Sequence, residues 1–264
     1  VSASASSVTA TISRNGDLVS SMHLDVKITG EASGVAGHTY VNYTNNTGHA
    51  LIDTVELEIG GQRIDKHYGH WLDVWNELTD HDGQEKTLLN KHSAKNSYLR
   101  SHTNATLNDL QLYVPLKFWF NRNPGLALPL IALQYHEVKV KLVTRALNDL
   151  VNFDGSGTVG MTTAPSVKLW VDYIYLDTDE RRRFAQQSHE YLIEQLQYQK
   201  ETASSNVSLN LNHPVKELLW TVQDVTAATA ATTTVDATAN VQGTMANSND
   251  WFNYMGNAAT HTEH

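Results

Sequence analysis

The chain has 264 residues, of which 41% are hydrophobic and 18% are charged, a composition typical of a folded globular protein. Its formal net charge of -9, without a concentrated basic stripe, argues against duplex DNA as a partner, and we expect no direct contact with nucleic acid. It contains no cysteine, which excludes disulfides and cysteine nucleophiles, and its apolar runs are far shorter than the roughly 20 residues of a transmembrane helix.

The first predicted elements are two strands joined by a tight turn. Apolar and polar residues alternate over Val8–Ser13 and again over Met22–Ile28. Asn15-Gly16 lies between these segments, and Asn-Gly strongly favours a two-residue hairpin. We therefore predict an antiparallel pair of strands joined at Asn15-Gly16. Residues 30–48 are rich in Gly, Asn and Thr and predict a loop, with a short strand at His38–Tyr43.

A second hairpin is predicted around Gly60-Gly61. Val55–Ile59 alternates strictly, which is typical of a half-buried strand, and two glycines accept the positive φ angles of a tight turn. Gln62–Tyr68 is then the return strand, with Arg63, Asp65 and His67 expected on one face.

Beyond Gly69 the periodicity becomes helical. Trp71, Val74, Trp75 and Leu78 recur at helical spacing, which predicts a short helix that lays both Trp side chains against the sheet.

The later part of the chain continues with strand patterns. Residues 79–108 form a long polar connection, followed by a strand over Leu110–Phe118 in which Pro115 indicates an edge position or a bulge. Asn123-Pro124-Gly125 predicts a turn, and Val138–Leu142 predicts another strand.

The next segments combine a loop, a central strand and a charged helix. Residues 148–165 predict a loop, and Val167–Leu176 is apolar on both faces, which indicates a strand covered on both sides. Residues 177–187 predict a short helix or linker, and Tyr191–Tyr198 and Val207–Leu211 resume strand patterning.

This order of elements predicts an all-β protein with short helices in its loops. About eight strands precede residue 177, and their long connections favour a jelly roll, an antiparallel β-sandwich, over a meander. A second set of strands begins near His189, with room for about half of another sandwich.

Two polar clusters are the strongest candidates for chemistry. Asp65, His67, His70 and Asp73 have ligand-type side chains, but a strand and a helix need not bring them together, so we predict a polar surface or capping role and no metal site. The carboxylates in residues 177–180 precede three arginines, and an ion-paired helix start explains them better than catalysis. The chain has no G-x-S-x-G, P-loop or G-x-G-x-x-G motif, so we predict no catalytic or cofactor-binding residue and no enzymatic activity.

Two surface hypotheses stay open. Four N-x-[ST] sequons make glycosylation conceivable at Asn42, Asn45, Asn104 and Asn206. The Trp and Tyr side chains fit a core, although some of them could form an aromatic platform for sugars or bases.

Four long segments resemble the major capsid proteins of nucleocytoplasmic large DNA viruses, of the phycodnavirus and giant-virus type. They are ISRNGDL (12–18), VELEIGGQRIDKHYG (55–69), NPGLALPLIALQYHEVKV (123–140) and WVDYIYLDTDERRRFAQQSHEYLIEQLQ (170–197). The resemblance implies a double jelly roll, with residues 1–188 forming most of the first sandwich and residues 189–264 beginning a second, truncated one. The chain lacks an initiator Met and the N-terminal segment of that family, and we expect it to be a fragment.

The same resemblance implies a structural role in a virion. We expect homotrimeric capsomers of pseudo-hexagonal outline that tile the outer shell of an icosahedral capsid, contact neighbouring capsomers and minor capsid proteins beneath them, and assemble in the host cytoplasm. The alternative is a carbohydrate-binding or carbohydrate-processing β-sandwich, because a jelly roll alone does not decide function. That alternative needs an exposed aromatic platform or two carboxylates about 5–10 Å apart in a cleft.

Overall fold

The computed structural model describes residues 2–31, 41–79, 88–89, 107–154, 161–202, 206–222, 233–234, 244–247 and 251–252. These residues contain twelve strands, which are β1 Ser6–Thr11, β2 Leu18–Ile28, β3 Val41–Tyr43, β4 Ile52–Ile59, β5 Gln62–Tyr68, β6 Leu110–Pro115, β7 Leu128–Pro129, β8 Val138–Thr144, β9 Val151–Asp154, β10 Ser166–Ile174, β11 Thr233–Thr234 and β12 Thr244–Asn247. They also contain four α-helices, which are α1 Thr47–Leu51, α2 Gly69–Thr79, α3 Trp119–Arg122 and α4 Thr178–Gln186.

The strands form three antiparallel sheets. The first sheet has the order β1-β8-β4-β5, the second has the order β10-β2-β6 with β7 also paired to β2, and a small third sheet has the order β11-β12-β9-β3. The first two sheets contribute their buried side chains to one core, in which Val55 and Leu57 of β4 belong to the same cluster as Met22, Leu24 and Val26 of β2. The predicted all-β, antiparallel architecture of jelly-roll type is therefore confirmed.

The hairpin at Gly60-Gly61 is confirmed, with one difference in the strand that follows it. The two glycines have φ angles of 59° and 83°, and Ile59 pairs with Gln62 across the turn. A bulge shifts the register between the pairs Leu57–Asp65 and Glu58–Arg63. As a result Arg63 is exposed while Asp65 and His67 are buried, so the predicted shared face of these three residues is wrong.

The predicted hairpin at Asn15-Gly16 is wrong. β1 pairs with β8 in the first sheet, and β2 pairs with β6, β7 and β10 in the second. The turn instead carries the chain from one sheet to the other, because Ile12 N donates to Val138 O and Asp17 N donates to Ile174 O. Asn-Gly indicates a sharp reversal, but the partner of each strand is decided by longer-range pairing.

The helix after Gly69 is confirmed, but its predicted buried face is only partly correct, since Trp71 packs partly against the core and Leu78 does not. Leu72, Asp73 and Asn76 are buried, whereas the Leu78 side chain is 52% exposed. The difference arises because α2 packs against α1, whose first two residues lie in the segment predicted as a loop. The buried side of α2 is therefore the side that contacts α1, and it is not the side that carries the largest apolar residues.

Strand β10 is an edge strand and not the predicted central strand. It pairs with β2 alone among the described strands, and none of its residues is fully buried. Trp170 is 53% exposed on its outer face, while Val167, Leu169, Val171 and Tyr173 pack partly against the core. The bulky residues on both faces of β10 predicted that both faces are buried. In the described structure only one face packs against the core.

The predicted strands at Tyr191–Tyr198 and Val207–Leu211 are also not observed as strands in the structure. The two segments lie side by side through side-chain bonds, because Asn210 N donates to Gln199 Oε1 (3.1 Å) and Asn212 N donates to Gln197 Oε1 (3.0 Å). A glutamine side chain takes the place of a backbone acceptor, so no regular ladder forms.

Several other local predictions are confirmed. A short strand ends at Tyr43, β6 lies at the edge of its sheet as Pro115 indicated, and Asn123 closes a turn by accepting a bond from Gly125 N (2.8 Å). The strand after residue 137 and the charged helix after Asp177 are present. Most of the predicted connection at 79–108 lies outside the described residues. The predicted loop at 148–165 is wrong in part, because strand β9 lies within it and pairs with β3 and β12.

Candidate functional site

Of the four residues considered as metal ligands, only Asp65 and His67 lie together. Asp65 and His67 project from β5 into the core, where His67 Nε2 lies 2.9 Å from Asp65 Oδ2 and the His67 ring stacks on Phe118 at 4.6 Å. His70 packs edge-on against Phe252 instead. In the described ranges no group of three or more His, Cys, Asp or Glu residues could hold a metal ion.

The fourth residue, Asp73, belongs to a buried polar network between α1 and α2. Asn46 Nδ2 donates to Asp73 Oδ1 at 2.7 Å and lies 2.9 Å from His49 Nδ1. Asn46 has a φ angle of 52°, a left-handed conformation that Asn tolerates better than most residues. This network links α2 to the start of α1 in the interior, but the Asn46 side chain makes no capping hydrogen bond to α1, so the predicted polar-surface or capping role of Asp73 is not observed.

The charged run after residue 176 forms a clamp and not a catalytic pair. Asp177 caps α4 by accepting from Thr178 N (2.7 Å), while Arg181 makes two hydrogen bonds with the buried Asp17, at 2.9 and 3.0 Å. Asp17 Oδ2 also accepts from Leu176 N (2.8 Å). The bond from Arg181, followed by that from Leu176, holds the pKa of the Asp17 carboxyl below its usual value.

An aromatic row crosses the outer face of the second sheet. Trp170 of β10 and His23 of β2 lie nearly parallel, with centroids 6.5 Å apart, and Tyr113 of β6 meets His23 edge-on at 6.4 Å. Trp170 Nε1 donates to Asp25 Oδ2 at 3.3 Å, and the Gln111 amide donates to the same carboxylate. The sequence alone does not reveal this row, because the alternation of β2 indicates the outward face of His23 and Asp25 but not which strands lie beside it.

A second surface joins the first two sheets to the residues after 188. Glu194 lies between Arg122 (2.9 Å) and Lys216, and the hydrogen bond from Lys216 is the main cause that lowers the pKa of the Glu194 carboxyl. Leu196 N donates to Asp65 Oδ1 at 3.1 Å. The sequence placed Glu194 and Gln195 in a strand pattern but carried no signal for their partners on the first two sheets.

The sequons have different surroundings. Asn42 is on β3, Asn45 is half-buried, Asn206 is exposed, and Asn104 lies outside the described residues. Thr44 and Thr47, which complete the first two sequons, are buried. Glycosylation at these four positions stays a prediction.

These features define the class of the protein. It is an antiparallel jelly-roll-type sandwich whose polar clusters connect its own elements, and whose exposed surfaces are aromatic and mixed in charge. Among the residues that the structure describes, no helix is long and apolar enough to cross a membrane.

Comparison with protein families identifies its relatives. Residues 1–177 match the model of the major capsid protein N-terminus, and residues 180–262 match that of the large eukaryotic DNA virus major capsid protein. The chain therefore belongs to the major capsid protein family of large eukaryotic DNA viruses.

Individual relatives agree with this assignment. The major capsid protein of Pyramimonas orientalis virus is 51% identical over 81% of this chain and 51% of its own length. That of Paramecium bursaria Chlorella virus 1 is 44% identical over 81% of this chain and 48% of its own length. The chain spans about half the length of the curated relatives it matches.

Solved structures give the same relationship. A quasi-atomic model of the PBCV-1 virus capsid is 40% identical and aligns with a TM-score of 0.55, over 73% of this chain and 43% of that chain. The Faustovirus major capsid protein, at 12% identity and a TM-score of 0.50, shares the fold. The members of this family are structural capsid proteins and not enzymes, which confirms the prediction that the chain has no enzymatic role.

Proposed function

We propose that the protein is a building unit of the outer shell of an icosahedral large DNA virus, and that three copies form a capsomer of pseudo-hexagonal outline. The family membership carries this proposal, because the match extends over nearly the whole chain in two successive family models. In this role each capsomer contacts its neighbours and minor capsid proteins beneath the shell, and assembly takes place in the host cytoplasm.

The rigid sandwich supports a tiling role. Two sheets share one core, and clamps such as Asp17–Arg181 hold their connections in place. A shell made of repeated, symmetric contacts needs units that keep one shape, even where each contact is individually weak.

The division into two units is part of the proposal. Residues 1–188 form the first jelly roll, and residues 189–264 begin the second. Large apolar side chains are exposed in the second segment, including Leu192 at 90%, Trp220 at 79% and Val222 at 72%. Such residues are typical of a buried sheet face, and a second sandwich would cover them.

The test is the state of the full-length protein in solution. Analytical ultracentrifugation at micromolar concentration should give the mass of a trimer, and electron microscopy of virions should place trimeric units on the faceted shell. A monodisperse, folded monomer under the same conditions would contradict the proposal.

The carbohydrate alternative now has one specific observation in its favour, the exposed row of Trp170, His23 and Tyr113. Stacking of a sugar ring on Trp170 would quench its fluorescence. We expect no saturable quenching by simple hexoses or their oligomers, since the family is structural. Saturable quenching that Trp170→Ala removes would establish sugar binding.

A further inference from the structure

The segment after residue 193 follows the free edge of the first sheet. Gln195 Nε2 donates to Ile64 O, Leu196 N donates to Asp65 Oδ1, and the Tyr198 ring lies 4.8 Å from that of Tyr68. Residue numbers rise together in the segment and in β5 from one contact to the next, so the segment runs parallel to β5. Side chains form most of these bonds, and the edge strand is covered without a regular ladder.

Asp65 provides the first anchor for this segment. It is 4% exposed, its carboxylate accepts hydrogen bonds from Lys66 N (2.8 Å) and Leu196 N (3.1 Å), and His67 Nε2 lies 2.9 Å from its other oxygen. A buried carboxylate that loses a partner leaves an unsatisfied charge, which is costly. The Leu196 amide is therefore held at a defined point of β5.

Arg122 provides the second anchor, from a different part of the first sandwich. Its Nε donates to Lys117 O at 2.9 Å, its guanidinium stacks on the Trp75 ring at 4.1 Å, and its Nη1 bonds Glu194 at 2.9 Å. Glu194 also binds Lys216, which lies further along the chain. A guanidinium fixed on two sides presents its third side at one position and angle.

We propose that Asp65 and Arg122 form a two-point anchor that fixes the direction in which the chain enters the second unit. The two anchored residues, Glu194 and Leu196, are two positions apart in sequence but are held by separate elements. If the segment rotates about one anchor, the bond at the other anchor breaks. The contact between Tyr68 and Tyr198 opposes movement of the segment beyond the two anchors. The anchor rests on the proposed function, in which the angle between two sandwiches shapes the capsomer.

Apolar packing at this junction is incomplete, so the polar anchors carry much of the constraint. A cavity of about 350 Å³ lies between side chains of the first sandwich, including Ile59, Trp119 and Leu133, and residues of the connecting segment, including His189 and Tyr191. This pocket is open at the surface, so the side chains on its two sides are not in close apolar contact there.

Hydrogen–deuterium exchange on the full-length protein tests the anchor. Arg122→Gln and Glu194→Gln should each raise the exchange rate of peptides covering residues 192–199 by about tenfold, because each removes a charge-assisted bond. Peptides from β2 and β4 should be unchanged. Because the two substitutions share the Arg122–Glu194 bond, the double variant should show a smaller effect than the two single effects combined.

Arg63→Gln is the matched control. Arg63, on β5, is likewise an arginine with an acidic partner, Glu56 at 3.8 Å, but it makes none of the described contacts with residues 192–199. Unchanged exchange in both Arg122→Gln and Glu194→Gln, or equal effects in the control, would overturn the anchor. The trimer mass of the unmodified protein is measured separately, so a monomer would reject the proposed function while the exchange result still decides the anchor.

Discussion

Asp17 is the residue on which the connections of the second sheet converge. Its carboxylate accepts bonds from Arg181 and from Leu176 N, and its backbone bonds Ile174 and Ile131. The lowered pKa of Asp17 means that its carboxyl group ionises more readily in the folded state than in the unfolded state. This preference contributes stability above the ordinary carboxyl pKa of about 4, and the contribution is lost as the pH falls through the lower folded value.

We therefore expect Asp17→Ala to destabilise the protein at pH 7 by about 2 kcal/mol, the size of a few lost bonds to a charged group. The difference from the unmodified protein should shrink as the pH falls from 5 toward 3, and urea unfolding at several pH values measures both effects. Asp179→Asn is the control, since Asp179 is exposed at the start of α4 and should leave the pH profile unchanged. A constant difference at all pH values would contradict this role of Asp17.

The partner of Arg181 shows what sequence could predict at this scale. The local charge pattern correctly indicated a capped, ion-paired helix start, and Asp177 is indeed the cap. The arginine, however, bonds a carboxylate 164 residues away. The sequence alone favours neighbouring acidic residues as partners of Arg181. Only the fold brings the distant Asp17 within hydrogen-bonding distance of Arg181.

At the scale of elements, Gly69 determines how closely α2 approaches α1 and β4. A Cβ atom at this position would lie 2.4 Å from His49 O and 2.5 Å from Ile52 O, both of which are backbone atoms. Gly69→Ala must therefore move the start of the helix, and overpacking of this kind costs roughly 1–3 kcal/mol. We expect thermal unfolding to show a clear loss of stability.

Gly61→Ala separates steric crowding from backbone strain. Gly61 has a φ angle of 83°, but nothing lies within 4 Å of the added Cβ. Its substitution should cost only the conformational penalty of roughly 1–2 kcal/mol and should leave near-ultraviolet circular dichroism unchanged. Gly69→Ala should alter that spectrum, because Trp71 and Trp75 lie on the displaced helix. Identical spectra for the two variants would argue against Gly69 as a packing position.

The predicted elements were most accurate where local pattern decides the outcome. Alternation and a Gly-Gly pair located the β4–β5 hairpin, whose φ angles require glycine-like freedom. The Asn15-Gly16 turn was misassigned because a reversal does not specify its pairing partner. β10 was misassigned because its Trp and Tyr residues resemble a covered strand, and coverage depends on what packs against the sheet.

At the scale of the whole molecule, the burial of the apolar side chains after residue 190 should differ between the 264-residue chain and the full-length protein. Leu192, Trp220 and Val222 are mostly exposed in the described structure. In the proposed second jelly roll the same side chains would be covered. The sequence pattern predicts strands at Tyr191–Tyr198 and Val207–Leu211, and in the described structure neither segment joins a ladder.

Trp220→Ser tests this difference directly. In the 264-residue chain the side chain is 79% exposed, and we expect little change in the unfolding midpoint. In the full-length protein the same substitution should cost roughly 3–5 kcal/mol, the usual loss for a large buried aromatic. Tyr135→Ser is the control, because Tyr135 is 87% exposed in a turn of the first sandwich and should be neutral in both proteins. Equal, small effects of Trp220→Ser in the two proteins would mean that this face stays uncovered, and residues 189–264 would then not begin a second sandwich.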